Sequence, residues 1–118
     1  NSGTEFNYIF ANNDMMAQGC YNALKDAGKE NIPIVSTGGS PDGFKMLQDG
    51  IEAANMTAPV SIQGVKTFMN LYNKVALGED PAEKFTALPV IPVSADDTSS
   101  YIAWDDYAAA YKYLGENK

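Results

Sequence analysis

Apolar positions along the chain fall into two alternating periodicities. A short unbroken run, Tyr8 to Phe10, predicts a strand covered on both faces, and the polar triplet Asn12-Asn13-Asp14 closes it. Met16, Cys20, Ala23, Leu24 and Ala27 then recur at helical spacing, with Asp14 placed to cap the first turn and Gly28 to end the helix. The sequence PIVST predicts a second strand, and Pro41 to about Gln48 a second helix carrying Phe44 and Leu47 inward. Asp49-Gly50 turns the chain into IEAANMT, a loosely alternating third strand. Pro59 opens a longer helix whose apolar face is Ile62, Val65, Phe68, Met69, Tyr72 and Val75, and Gly78 stops it. In TALPVIPV, Pro89 and Pro92 remove two ladder donors, which predicts an edge or crossing segment and no central strand. Tyr107, Tyr111 and Leu114 predict a short amphipathic helix ending at Gly115.

This strand–helix order implies a parallel sheet with right-handed crossovers and helices on both faces, a three-layer α/β/α domain over residues 1–118 with a helical tail from 98. All strand C-termini then open on one rim, where such sheets bind ligands. The stretch IVSTGGSPDG is the clearest instance, with a buried strand, two glycines that admit a close neighbour, Ser40 as N-cap and Pro41 as first helical residue. Asn12, Asn13, Asp14, Thr37 to Ser40, Thr57 and Ala58 gather on that rim.

Composition narrows what the rim receives. A net charge of −7 with 8 basic residues leaves no stripe for nucleic acid or anionic membranes. The single Cys20 excludes an internal disulfide and a multi-cysteine metal site, and sits on an apolar stripe as a small hydrophobe. The glycine pair fits neither phosphate-loop pattern, and Pro41 removes an N–H that a phosphate needs. There is no histidine, and the pairs Asp96-Asp97 and Asp105-Asp106 read as solvated caps, so no enzyme and no cofactor is expected. The five methionines and seven tyrosines are read as packing, and Trp104 as a clamp onto the domain's own surface. No apolar run reaches a membrane span and no signal-peptide pattern opens the chain, which reads as a processed or excised piece.

The segments NDMMAQG, GGSPDG and DGIEAA, in this order and spacing, resemble the C-terminal lobe of periplasmic sugar-binding proteins of the ribose-binding type, relatives of the ligand domains of LacI-family repressors. The resemblance runs from about Tyr8 to Asp97. It implies one lobe of a type I periplasmic binding fold, with a sugar or polyol-like ligand held in a cleft between two lobes. The N-terminal lobe and one βα unit before Tyr8 lie outside the chain. By the same resemblance Asn13 matches the asparagine that hydrogen-bonds sugar hydroxyls. Gly38 falls where relatives place an aspartate and Ala58 where they often place a glutamine. Thr37 and Gly39 complete the candidate ligand-binding set, and without the resemblance Asn13 reads equally as a helix-starting residue.

The function so implied is the solute-binding component of an ABC importer, in the periplasm or anchored outside the membrane as a lipoprotein, with the transporter's membrane subunits as partners. A repressor effector domain and a flavodoxin-like enzyme domain are the alternatives. An uncovered sheet edge at Tyr8–Phe10 predicts a homodimer or a tail folded over that edge.

Overall fold

The computed structural model describes residues 5–116 except 82, 86 and 89. Four strands form one sheet in the order β1 (Ile9–Ala11), β2 (Ile34–Gly38), β3 (Glu52–Thr57) and β4 (Ile91–Ser94). The first three are parallel, and β4 runs antiparallel along the far edge, where its Pro92 is tolerated. Helices α1 (Asp14–Asp26), α2 (Pro41–Gln48), α3 (Val60–Tyr72) and α4 (Tyr107–Glu116) follow the predicted positions, except that α4 runs through Gly115 instead of ending there, and α3 ends in a π-turn over Asn73–Leu77. Gly28 and Gly78 terminate α1 and the π-turn at φ 64° and 71°, values that favour glycine. No helix among the described residues is long and apolar enough to cross a membrane.

Helical cover is uneven. Helices α1 and α2 lie against one sheet face, where Ala17, Leu24 and Met46 pack on Ala11 and Ile34, with Cys20 and Tyr21 at the margin. Leu47, Val93 and Tyr101 form a second cluster, and Ile62 of α3 packs with Ile102 and Ala110 in a third. The tail therefore anchors at the β4 side, and among the described residues no strand pairs with the outer side of β1. Alternation and register place Phe10, Val35, Thr37, Ala54, Met56 and Pro92 on the opposite face, where Phe10 is 61% exposed and Met56 36%.

Several expected contacts turn outward. Of the α3 stripe only Ile62 is buried, because α3 packs chiefly on α4 and its far side meets solvent. In α4 it is Ala110, with Ala109, Tyr113 and Leu114, that faces the core, leaving Tyr107 and Tyr111 exposed. The methionines and tyrosines divide similarly: Met46 and Tyr101 are buried, whereas Met15, Met16, Met69, Tyr8 and Tyr72 are exposed. The tail does not fold over the edge at Tyr8–Phe10, since its buried residues are committed to Leu47, Val93 and Ile62.

Register carries one consequence for the rim. Ile34 pairs with Glu52 but Val35 pairs with Ala54, so Ala53 is the extra residue of a bulge. Glu52 and Asn55, three positions apart, thereby face the same side as Ser36 and are all fully buried. Ile34, itself fully buried in the central strand, is expected to lose about 2–5 kcal/mol on replacement by Ala, from lost transfer energy and the cavity left. Val75→Ala, at a 76% exposed position, is expected to stay within about 0.5 kcal/mol of wild type; urea denaturation of both variants checks the contrast.

A candidate ligand rim organised by Asp14

The chain leaves β1 through Asn12 and Asn13 and enters α1 at once. Asn13, not Asp14, caps this helix: its Oδ1 accepts from the Met16 N–H at 2.8 Å with extended backbone at residue 13. Asn13 Nδ2 makes no hydrogen bond among the described residues, and the residue borders the cleft described below. Asp14, freed from capping, turns inward and is 3% exposed.

Its carboxylate joins three elements. Oδ2 accepts from the Gly39 N–H at 3.2 Å, the Ser40 N–H at 2.8 Å and the Ser40 hydroxyl. Oδ1 accepts from Ser36 Oγ at 3.1 Å and Asn55 Nδ2 at 2.7 Å. Ser40 in turn caps α2, its Oγ accepting from the Gly43 N–H at 2.9 Å. Burial works to raise the Asp14 pKa, but the bonds from Ser40, Asn55 and Ser36 outweigh it and hold the carboxyl below its ordinary range. Two glycines make the space. A Cβ on Gly38 or on Gly43 would lie 2.6 Å from Asp14 Cγ, so neither position admits a side chain. The space beside position 38 is filled by Asp14, whose oxygens are committed inward.

From the other side the tail crosses the loop. Tyr101 Oη donates to Ser40 O at 2.7 Å, Trp104 N–H to Gly39 O at 2.9 Å, and Trp104 Nε1 reaches Gly38 O at 3.4 Å. Burial, then the charges of Asp14 and Glu52, push the Tyr101 phenol up, so it stays a donor. Gly39 has φ 117°, and a Cβ there would meet Trp104 Nε1 at 3.1 Å. Trp104 therefore clamps the domain's own loop, as its position suggested. It also forms one wall of a cleft of about 500 Å³ with Asn13, Asp14, Met15, Gln18, Ser40 and Asp42.

The predicted residues separate on this scaffold. Asn13 borders the cleft, and Gly38 and Gly39 lie beneath the strap. Ala58 joins them through its N–H, which donates to Gly38 O at 2.7 Å, but it lines a second hollow of about 380 Å³ with Gln63, Lys66, Thr67 and Asn70. Thr37 lies with Met56 and Pro92 on the face opposite Ser36. Thr57 is unavailable, its hydroxyl donating to Ile91 O at 3.0 Å in full burial. Sequence reasoning missed Ser36, Glu52 and Asn55. Polar residues in strand centres are the signal that marks them, and it was masked by the bulge.

Three outcomes are expected here. Asn13→Ala loses about 0.5–2 kcal/mol of stability through its cap. Gly38→Ala loses about 1–3 kcal/mol, because the new methyl displaces Asp14. The stabilisation from Asp14 is present above its ordinary value of 3.8 and drains as pH falls through its lower folded value; Asp14→Asn removes that acid-side dependence. Chemical denaturation from pH 2 to 7 measures all three.

No family model matches the chain. The ribose import binding protein RbsB of Escherichia coli is 38% identical over 80 residues, covering 65% of this chain and 26% of that protein. The corresponding proteins of Salmonella typhimurium and Salmonella typhi are 38% identical over 77 residues, again 65% of this chain and 26% of theirs. The chain therefore spans about a quarter of the length of these curated relatives, which are named as binding proteins. A crystal structure from Mycobacterium smegmatis superposes with a TM-score of 0.63 at 24% identity, over 98% of this chain and 37% of that one, and shows the fold. Over 65% of its length the chain is thus similar in sequence to the ribose import binding proteins, and it shares the α/β fold of the superposed structure.

Proposed function

We propose that this chain is one side of the ligand cleft in a solute-binding protein for a sugar or polyol, working with an ABC importer outside the cytoplasmic membrane. The observation that carries this reading is the 38% identity to the ribose import binding proteins over 65% of the chain. The geometry supports it. Asn13, Gln18 and Asp42 border one cleft with Trp104, residue types that carry the donors and acceptors hydroxyls need and an aromatic ring on which C–H groups pack. Of the candidate set, Asn13 is the residue proposed to touch ligand. Gly38 and Gly39 shape the loop, and Ala58 and Thr37 border the rim from other sides.

Ligand closure needs a second lobe in this reading, with the closed form stabilised by contacts on both sides. The 118 residues alone leave one face of the ligand in water, whereas efficient sites bury about 70–90% of it. Calorimetry with D-ribose and a panel of monosaccharides and polyols is expected to give binding weaker than about 1 mM for this chain alone, an affinity of roughly 4 kcal/mol. For the two-lobed protein, a ligand at about 100 times Kd is expected to stabilise the fold by about 2.7 kcal/mol, read as a raised melting temperature. No shift with any sugar or polyol in the two-lobed protein overturns the proposal.

A further inference from the structure

The buried group beside Asp14 holds more oxygen than its hydrogens can serve. Ser36 Oγ lies 3.1 Å from Asp14 Oδ1 and 2.8 Å from Glu52 Oε1, yet a hydroxyl has one hydrogen and a carboxylate only accepts. Asn55 Nδ2, with two hydrogens, lies within 2.7 Å of Asp14 Oδ1, 2.8 Å of Ser36 Oγ and 3.0 Å of Glu52 Oε2. If both carboxyls were ionised, one of the two Ser36 contacts would set lone pair against lone pair in a site closed to water. Two negative charges would also share one serine with no cation. The chain contains neither arginine nor histidine, and the lysine ion pairs among the described residues all lie at the surface.

We infer that Glu52 is held as a neutral carboxylic acid at physiological pH, and that its proton completes a relay through Ser36 and Asp14 that positions the Gly38–Ser40 loop. With the proton on Glu52 Oε1, that oxygen donates to Ser36 Oγ, and Ser36 donates to Asp14 Oδ1. The Asn55 hydrogens then serve Asp14 Oδ1 and Glu52 Oε2. Each of these hydrogens then has an acceptor and each oxygen of Ser36, Glu52 and Asp14 a partner, Asn55 Oδ1 being the oxygen of the group left without one among the described residues, and a single negative charge stays on Asp14, where the Gly39 and Ser40 N–H groups face it.

The surroundings favour the same division. Facing Glu52 are Asp14 from the start of α1, Ser36 from β2 and Asn55 from its own strand; the Tyr101 phenol, from the tail, stays neutral. Burial raises the Glu52 pKa most, bonds from Asn55 and Ser36 offset part of that, and the Asp14 charge adds to it. Asp14 is shifted the other way. Glu52 is thus a positioning residue: it touches no cleft, and acts on the rim through two side chains. This assignment is independent of which ligand the rim takes. Its contribution to stability is fully present below the ordinary value of 4.5 and is lost as pH rises through the raised folded value.

The test uses the full 118-residue chain. Infrared spectroscopy at pH 7 is expected to show the carbonyl stretch of a protonated carboxylic acid, which disappears on raising the pH and is absent from Glu52→Gln. The glutamine amide supplies the same donor to Ser36 and acceptor to Asn55 without a titration. Amide exchange at Ser40, corrected for intrinsic rate, is expected to lose protection by up to about tenfold per pH unit between the ordinary Glu52 value of 4.5 and its raised folded value in wild type, to level off above that, and to stay flat in the variant. A wild-type spectrum at pH 7 without the acid band overturns the inference even if the variant does not fold. So does a variant whose Ser40 protection follows the wild-type pH profile.

Discussion

One carboxylate receives hydrogen bonds from β2, from the loop that follows it and from β3, and it belongs to the first residue of α1. Without Asp14 the Gly39 and Ser40 N–H groups would point into a dry space, and Ser36 and Asn55 would lose their shared acceptor. An orphaned buried donor costs about 1–3 kcal/mol, so several at once would exceed what the small apolar clusters nearby restore. The hydrophobic contacts bring α1 and α2 onto the sheet, and Asp14 fixes where their N-termini stop. It does so at short range, because the glycines at 38 and 43 leave room for its carboxylate where any Cβ would collide with it.

The rim is held from two directions with different chemistry. Inside, an anion gathers N–H and O–H donors. Outside, Tyr101 and Trp104 donate to the successive carbonyls of Gly38, Gly39 and Ser40. Each peptide of the loop is therefore satisfied on both its polar ends, which lets a glycine-rich segment keep one conformation without side chains of its own. The arrangement also explains why the tail lies at the β4 side. Ile102 and Tyr101 are buried against α3, α4 and α2, and this commitment brings Trp104 over Gly39.

Much of the frame was legible because local rules decide it. Unbroken apolar runs marked β1 and β2, Ser40 and Pro41 marked the start of α2, and Gly28 and Gly78 marked ends where φ must be positive. Asp14 was misread for the same reason: beside Asn13, either residue suits a cap, and only the tertiary pocket between two glycines decides which one turns inward. Glu52 in IEAANMT was invisible as a buried group, since strict alternation puts it opposite Asn55 until the bulge at Ala53 brings them together. The apolar stripe of α3 followed the correct period, but a period states that a face is apolar, not that something covers it. Asn13 took the cap reading through Oδ1, and the same residue borders the cleft.

Trp104 is the only tryptophan in the chain, and its ring rests on the Gly38–Ser40 loop. The same strap carries Tyr101 and Ile102 into two of the apolar clusters, so the indole and those clusters are tied to one segment of chain. Tryptophan emission thereby becomes a built-in optical reporter of the joint between tail and rim.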